Sequence, residues 1–190
     1  MSASHKTHII GVGDDGPSGL TSRAKEIVAA ADLLIAEAST LAKFDVSATK
    51  WDPGHDPKAV LDRITEGPEQ VIAILTQGDP LFYGLARYLC DKLGKDRFEV
   101  IPHVSSMQLA FARVKESWDE AYLTNLATQP LSKVIERIRT SEKVGLFTTT
   151  EVPPSCVAQA LLDAGIDYFQ AYVCENLGAP DERVTHTDLM

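Results

Sequence analysis

A chain of 190 residues, 44% hydrophobic and 24% charged, is long enough to bury a sizeable core as one large domain or two small ones. Its net charge of −9, with no basic patch to offset it, argues against a partner held through phosphate backbones, and so against nucleic acid. No apolar run approaches the roughly 18 residues that span a bilayer, and Met1 to Thr7 lack the apolar centre of a secretion signal. Cys90, Cys156 and Cys174 lie far apart without a Cys-x-x-Cys pair, so neither a disulfide framework nor a zinc site is expected. The expected compartment is the cytoplasm, with no membrane partner and no metal.

In chain order, strand and helix signals alternate. His8-Ile9-Ile10 reads as a strand and runs into a glycine loop, Gly11-Val12-Gly13-Asp14-Asp15-Gly16. Thr21 can cap a helix reaching about Ala31, with Ala24, Ile27, Val28 and Ala31 on one stripe. Leu33 to Ala36 reads as a short strand, and the polar stretch from Lys50 to Pro57 breaks the pattern before a helix over Lys58 to Glu66. Val71 to Leu75 is continuously apolar, as in a strand covered on both faces. A second loop, Gly78-Asp79-Pro80 with Phe82-Tyr83-Gly84, precedes a predicted helix from Leu81 to Leu93 and a strand from Phe98 to Ile101. Texture changes at Pro102, where a domain junction is placed, giving domains 1–102 and 103–190. Beyond it the spacing predicts helices over Ser106 to Lys115, Ser132 to Arg139, and from Pro153-Pro154 to near Gly165. Strands are predicted at Tyr122-Leu123, Val144 to Phe147 and Phe169 to Val173. The pattern is that of an α/β protein built on a mainly parallel sheet.

Glycine loops at strand ends permit close backbone approach to a ligand, and two of them point to a small-molecule site at the carboxyl ends of strands. Gly11, Gly13 and Gly16 fit the G-x-G-x-x-G pattern, with Glu37 after the second strand where a dinucleotide's ribose ligand would sit. Against a nicotinamide enzyme, Asp14 and Asp15 put carboxylates where a pyrophosphate would rest, and Pro17 and Gly19 delay the helix. Asp79 can hold an ammonium or accept from a ribose hydroxyl; its structural alternative is an Asp-Pro turn that opens a helix. Ser105-Ser106 has the alternative of a helix cap. Thr148 to Thr150 and Glu175-Asn176-Leu177-Gly178 follow further strands. His5 and His8 have loose metal-like spacing, and His103 could touch a ligand or serve the structure. No Ser-His-Asp order, cysteine nucleophile or carboxylate pair stands out, so the site binds and positions rather than supplying an evident acid or base.

Residues Gly11 to Thr21 resemble the opening loop of the tetrapyrrole methylases, and Gly78 to Gly84 resemble their second loop. The segment Pro102 to Arg113, followed by Trp118, is similar to the CbiE-type cobalt-precorrin C5-methyltransferases and the amino-terminal half of CobL. Glu175 to Gly178 with Asp181 to Val184 matches the same subgroup, so the resemblance spans almost the whole chain. It implies two α/β domains, usually in a homodimer, with S-adenosyl-L-methionine in a cleft between them. By position, Gly78, Asp79 and Phe82 would meet the cofactor from one side and Ser105 with Ser106 from the other, joined by Leu126, Thr148 and Gly178. Gly13, Asp14, Asp15 and His103 would face the macrocycle. The implied reaction is C-methylation of a precorrin or cobalt-precorrin at C5 in cobalamin biosynthesis. A separate C15-methyltransferase/decarboxylase is the implied partner.

Two departures accompany the resemblance. Where such chains carry Ser-Leu-His-Gly-Arg-Pro, this one has Asn125-Leu126-Ala127-Thr128-Gln129-Pro130, losing two groups able to bind corrinoid carboxylates. The chain stops at Met190, so the second domain is expected to lack the final apolar strand of its relatives. A non-catalytic cofactor or corrinoid binder, and a same-fold methyltransferase for another substrate such as RNA ribose, are the competing expectations.

Overall fold

The computed structural model describes residues 7–54, 56–66 and 71–190; His5 therefore lies outside the described residues. Contacts divide the chain into two units, one ending at Ser105 and the other starting at Ser106.

The first unit is built on strands β1 (Thr7–Val12), β2 (Leu33–Ile35), β3 (Thr49–Trp51), β4 (Ile72–Gln77) and β5 (Phe98–Ile101). They form one sheet in the order β3-β2-β4-β1-β5, and every pairing is parallel. Ile10 lies opposite Leu75 on one side and Ile101 on the other, which fixes the register at the sheet centre. Helices α1 (Ser22–Ala30), α2 (Ala38–Leu41), α3 (Pro57–Glu66) and α4 (Leu85–Leu93) connect the strands.

Alternate side chains of a strand point to opposite faces. Ile10, Val12, Leu34, Ala73 and Leu75 accordingly join Ala24, Ile27 and Val28 of α1 in one core cluster. Ile9, Leu33, Ile35, Ile72 and Ile74 meet Val60 and Ile64 of α3 and Ala86 and Leu89 of α4 in another. Both faces are thus covered, which is why the strand sequences are apolar without alternation. Thr21 caps α1 as its position predicts, its side chain accepting from the Ala24 amide at 3.2 Å.

Three details differ from the sequence reading here. The helix predicted from Leu81 starts at Leu85: Asp79 Oδ1 accepts from the Leu81 amide, Tyr83 has φ +58°, and Gly84 is the cap. The start of the polar stretch overlaps β3, an edge strand whose Thr49 and Lys50 face solvent. The short helix α2 has no counterpart in the sequence pattern.

The second unit contains α5 (Ser106–Val114), β6 (Tyr122–Asn125), α6 (Leu131–Ile138), β7 (Val144–Phe147), α7 (Pro154–Asp163), β8 (Ala171–Glu175) and β9 (Arg183–Thr187). β6 and β7 pair in parallel, whereas β8 and β9 form an antiparallel pair. Leu126, Val134, Ile138, Val157, Leu161, Ile166 and Leu189 make its core. Helix α5 packs closely on β7: a Cβ added at Gly145 would sit 2.5 Å from Met107 Sδ and 3.1 Å from Phe111. The strand expected at Phe169 to Val173 is shifted to Ala171–Glu175, because Phe169 packs on the core while the ladder to β9 opens only at Ala171. The sequence pattern offers no strand where β9 lies; all of its residues are exposed and Val184 is its one apolar side chain, so no hydrophobic period marks it.

Candidate functional site

In the first unit the predicted residues gather at the carboxyl ends of the central strands. Gly13, Asp14 and Asp15 follow β1, Gly78, Asp79 and Phe82 follow β4, and His103 and Ser105 follow β5. Because those strands are neighbours and parallel, the loops emerge side by side. Gly11 is where they come closest: a Cβ there would collide with the Gly78 carbonyl oxygen and fall 2.5 Å from the His103 amide nitrogen. A glycine is needed because the obstructing atoms are backbone and cannot rotate away.

The second loop is locked from within. Gly78 has φ +67° and donates its amide to the Val12 carbonyl at 2.9 Å, tying the β4 loop to β1. Asp79 uses Oδ1 to accept from the Leu81 amide at 2.9 Å, and its carbonyl accepts from Phe82 at 3.0 Å. The Asp-Pro turn expected as the structural alternative is therefore present. It occupies one carboxylate oxygen; among the described residues the other has no hydrogen-bond partner.

The acidic first loop separates its two carboxylates. Asp14 Oδ1 accepts from Gln77 Nε2 at 3.2 Å and lies 3.6 Å from Lys43 Nζ, which also donates to the Asp14 carbonyl at 3.1 Å. Asp15 folds back toward Gly13 and Gly19, and Ser18 Oγ donates to its carbonyl at 2.5 Å. A 3₁₀ turn at Gly16–Gly19 follows and α1 opens only at Ser22. The helix after β1 therefore does not start at the glycines, as dinucleotide binding requires. An open cavity of about 670 Å³ lies beside this loop, lined by Gly13, Asp14, Glu37, Lys43, Gln77 and Tyr83 among others. Lys43 and Gln77 join the candidate site through these contacts, although no motif in the sequence marks them. Their relation to Asp14 depends on strand neighbours far apart in the chain.

In the second unit the predicted residues again lie at strand and helix ends. Ser106 opens α5, Leu126 follows β6, Thr148 follows β7 and Gly178 lies in the turn after β8. Leu126 is 8% exposed and its side chain belongs to the core, so its backbone is what it can offer a ligand. Its amide is already donated to the Phe147 carbonyl at 2.9 Å. Ser106 and Thr148 are exposed, whereas Ser105 is buried. The altered segment after β6 is a self-contained turn. Asn125 Oδ1 accepts from the Ala127 amide at 2.8 Å, and the Asn125 carbonyl accepts from Thr128 and Gln129 at 3.1 Å. Ala127, Thr128 and Gln129 face solvent.

The turn after β8 is the most heavily braced. Gly178 (φ +91°) donates its amide to Glu182 Oε2 at 2.7 Å. Both Nε and NH2 of Arg113, from α5, donate to the Glu182 carboxylate, the latter at 2.9 Å. Asn176 Nδ2 donates to Asp181 Oδ2 at 2.7 Å. The Arg113 guanidinium, followed by the Gly178 amide, holds the Glu182 carboxyl below its ordinary range. Among the described residues no cluster of His, Cys, Asp or Glu could hold a metal ion, and no helix is long and apolar enough to cross a membrane.

The glycine loops of the first unit offer a carboxylate oxygen at Asp79 and backbone turns, without the helix start directly at the first glycine loop that a dinucleotide's phosphates need. In the second unit, Ser106 and Thr148 are exposed hydroxyls. The chain is 28% identical over 177 residues to a cobalt-precorrin-7 C(5)-methyltransferase of Salmonella typhimurium, covering 93% of this chain and 87% of that one. Its fold is similar to the precorrin-6Y methylase CbiE of Archaeoglobus fulgidus, at 21% identity and TM-score 0.71, covering 97% and 90% of the two chains. A uroporphyrin-III C-methyltransferase of Thermus thermophilus, complexed with S-adenosylhomocysteine, is similar at 21% identity and TM-score 0.71, covering 97% and 83%. Residues 6–190 match the tetrapyrrole (corrin/porphyrin) methylases, and the chain belongs to that family.

Proposed function

We propose that the protein is an S-adenosylmethionine-dependent C-methyltransferase acting at C5 of a precorrin or cobalt-precorrin ring in cobalamin biosynthesis. The observation that carries this reading is the similarity to a C5-methyltransferase along nearly the full length of both chains. When bound, the cofactor supplies an activated methyl group, so the chemical driving force is not the protein's to provide. The chain's own task is to bind, align and exclude water, which accords with the missing acid–base motif.

In this reading Gly78, Asp79, Phe82 and Ser105 of the first unit hold the cofactor, together with Ser106, Leu126, Thr148 and Gly178 of the second. Asp79 accepts from an ammonium or ribose hydroxyl through its open oxygen. Gly13, Asp14, Asp15 and His103 face the macrocycle, and the Lys43 and Gln77 contacts keep the Asp14 carboxylate in place. The same reading has the protein in the cytoplasm as a homodimer, beside a separate C15-methyltransferase/decarboxylase.

Calorimetric titration with S-adenosylhomocysteine tests the cofactor assignment. Wild-type protein should bind it, and Asp79→Ala should weaken binding about tenfold, the scale of one charge-assisted hydrogen bond. Unchanged affinity would count against the role of Asp79. A second reading, a binder without turnover, is favoured by one observation: the exposed Ala127-Thr128-Gln129 turn carries no cation for substrate carboxylates. Cofactor binding without methyl transfer to any precorrin would select it.

A further inference from the structure

We propose that Arg113 and Glu182 are a positioning pair that sets cofactor affinity by fixing the turn around Gly178; this rests on the cofactor role given to Gly178 above. The two residues are 69 apart in sequence, yet the guanidinium meets the carboxylate through two donors. The same carboxylate takes the Gly178 amide at 2.7 Å. One side chain therefore joins the last turn of α5 to the backbone of the β8–β9 connection.

The consequence concerns which atoms the turn can present. The Gly178 N–H is engaged by Glu182, so a ligand at this turn meets the carbonyl side or the neighbouring backbone. Without Glu182 the amide would be released and the turn could rotate. The remaining bracing is local to the turn: the Ala179 amide reaches the Asn176 carbonyl at 2.9 Å, and the Glu182 amide reaches the Ala179 carbonyl at 3.1 Å. Asn176 Nδ2 donates to Asp181 Oδ2 at 2.7 Å and Arg183 Nε donates to Glu175 Oε2 at 2.7 Å, and none of these contacts reaches α5. Asn176 itself sits at φ +52°, a strained region that needs its surroundings to hold it. Arg113 acts one step further away, by keeping the Glu182 carboxylate oriented and ionised. A bidentate fork does this better than a single ammonium.

The test is calorimetric binding of S-adenosylhomocysteine to Arg113→Ala, Arg113→Lys, Glu182→Ala, Glu182→Gln and the double alanine variant, with the melting temperature of each as a check on folding. Glu182→Ala should lose affinity about tenfold. Glu182→Gln, which keeps an acceptor for the Gly178 amide, should lose about threefold. Arg113→Lys should recover part of the loss seen in Arg113→Ala. The double variant should be no weaker than Glu182→Ala, because Arg113 acts through Glu182. Folded Glu182→Ala protein that binds like the wild type would overturn the pair while leaving the cofactor assignment intact. Should Glu182→Ala not fold, the Glu182→Gln and Arg113→Lys proteins decide by the same comparison. Wild-type protein that fails to bind at all would sink both.

Discussion

The two units differ in how they hold their loops. In the first, five parallel strands are covered on both faces, and the loops at their carboxyl ends are fixed by backbone packed against backbone at Gly11, Gly78 and His103. In the second, two separate two-stranded sheets share a smaller core, and the turn at Gly178 is held by side-chain hydrogen bonds from Glu182, Arg113 and Asn176. Backbone fitted against backbone therefore anchors the first unit's candidate residues, with side-chain contacts at Asp14 and Asp79 added to it, whereas a charged pair anchors the turn at Gly178 in the second. Substitutions should separate these two modes.

The largest effect is expected at Gly11. Gly11→Ala drives a methyl into the Gly78 carbonyl and the His103 amide, neither of which can swing aside. It should cost about 4 kcal/mol, read as the loss in a denaturant or thermal melt; a near-neutral result would mean the loops are looser than described. Next come the cores. Ile74→Ala, at the centre of the covered sheet, should cost about 3 kcal/mol, and Val134→Ala in the smaller core about 2 kcal/mol. Equal costs would blur the contrast between the units.

The smallest effect is a pH dependence confined to the second unit. Arg113, with the Gly178 amide, lowers the carboxyl pKa of Glu182 in the folded protein. A depressed carboxylate pKa stabilises the fold fully above its unfolded value and ceases to do so as pH falls through the folded value. Hydrogen exchange at the Gly178 amide should thus become faster, relative to the first unit's loops, as the solution is acidified below the ordinary carboxylate range. The Glu182→Gln protein should show no such pH step. An equal step in that variant would assign the titration elsewhere.

What was legible in the sequence follows the same division. The run at Val71 to Leu75, the Thr21 cap and the alternation of strands and helices announce the first unit because burial leaves an apolar signature. The Leu81 helix start was misleading: Leu81 and Phe82 look helical, but the Asx turn at Asp79 and the left-handed Tyr83 postpone the helix to Leu85. β9 was illegible because an exposed strand carries no hydrophobic period. Asp14 was recognisable as a loop carboxylate, whereas its contacts with Lys43 and Gln77 depend on long-range strand order. The Arg113–Glu182 pair could not be found by spacing at all. Each of its members lies in a segment that resembles the family, but their contact exists only in three dimensions.

The most direct test of the central claim is a methyl-transfer assay. Purified protein is incubated with S-adenosylmethionine and with precorrin or cobalt-precorrin substrates not yet methylated at C5, and the products are read by mass spectrometry and NMR. The account predicts that one of these substrates gains a single methyl group at C5, with stoichiometric S-adenosylhomocysteine. Transfer to a different ring position, or tight cofactor binding with no transfer to either class of ring, would contradict it.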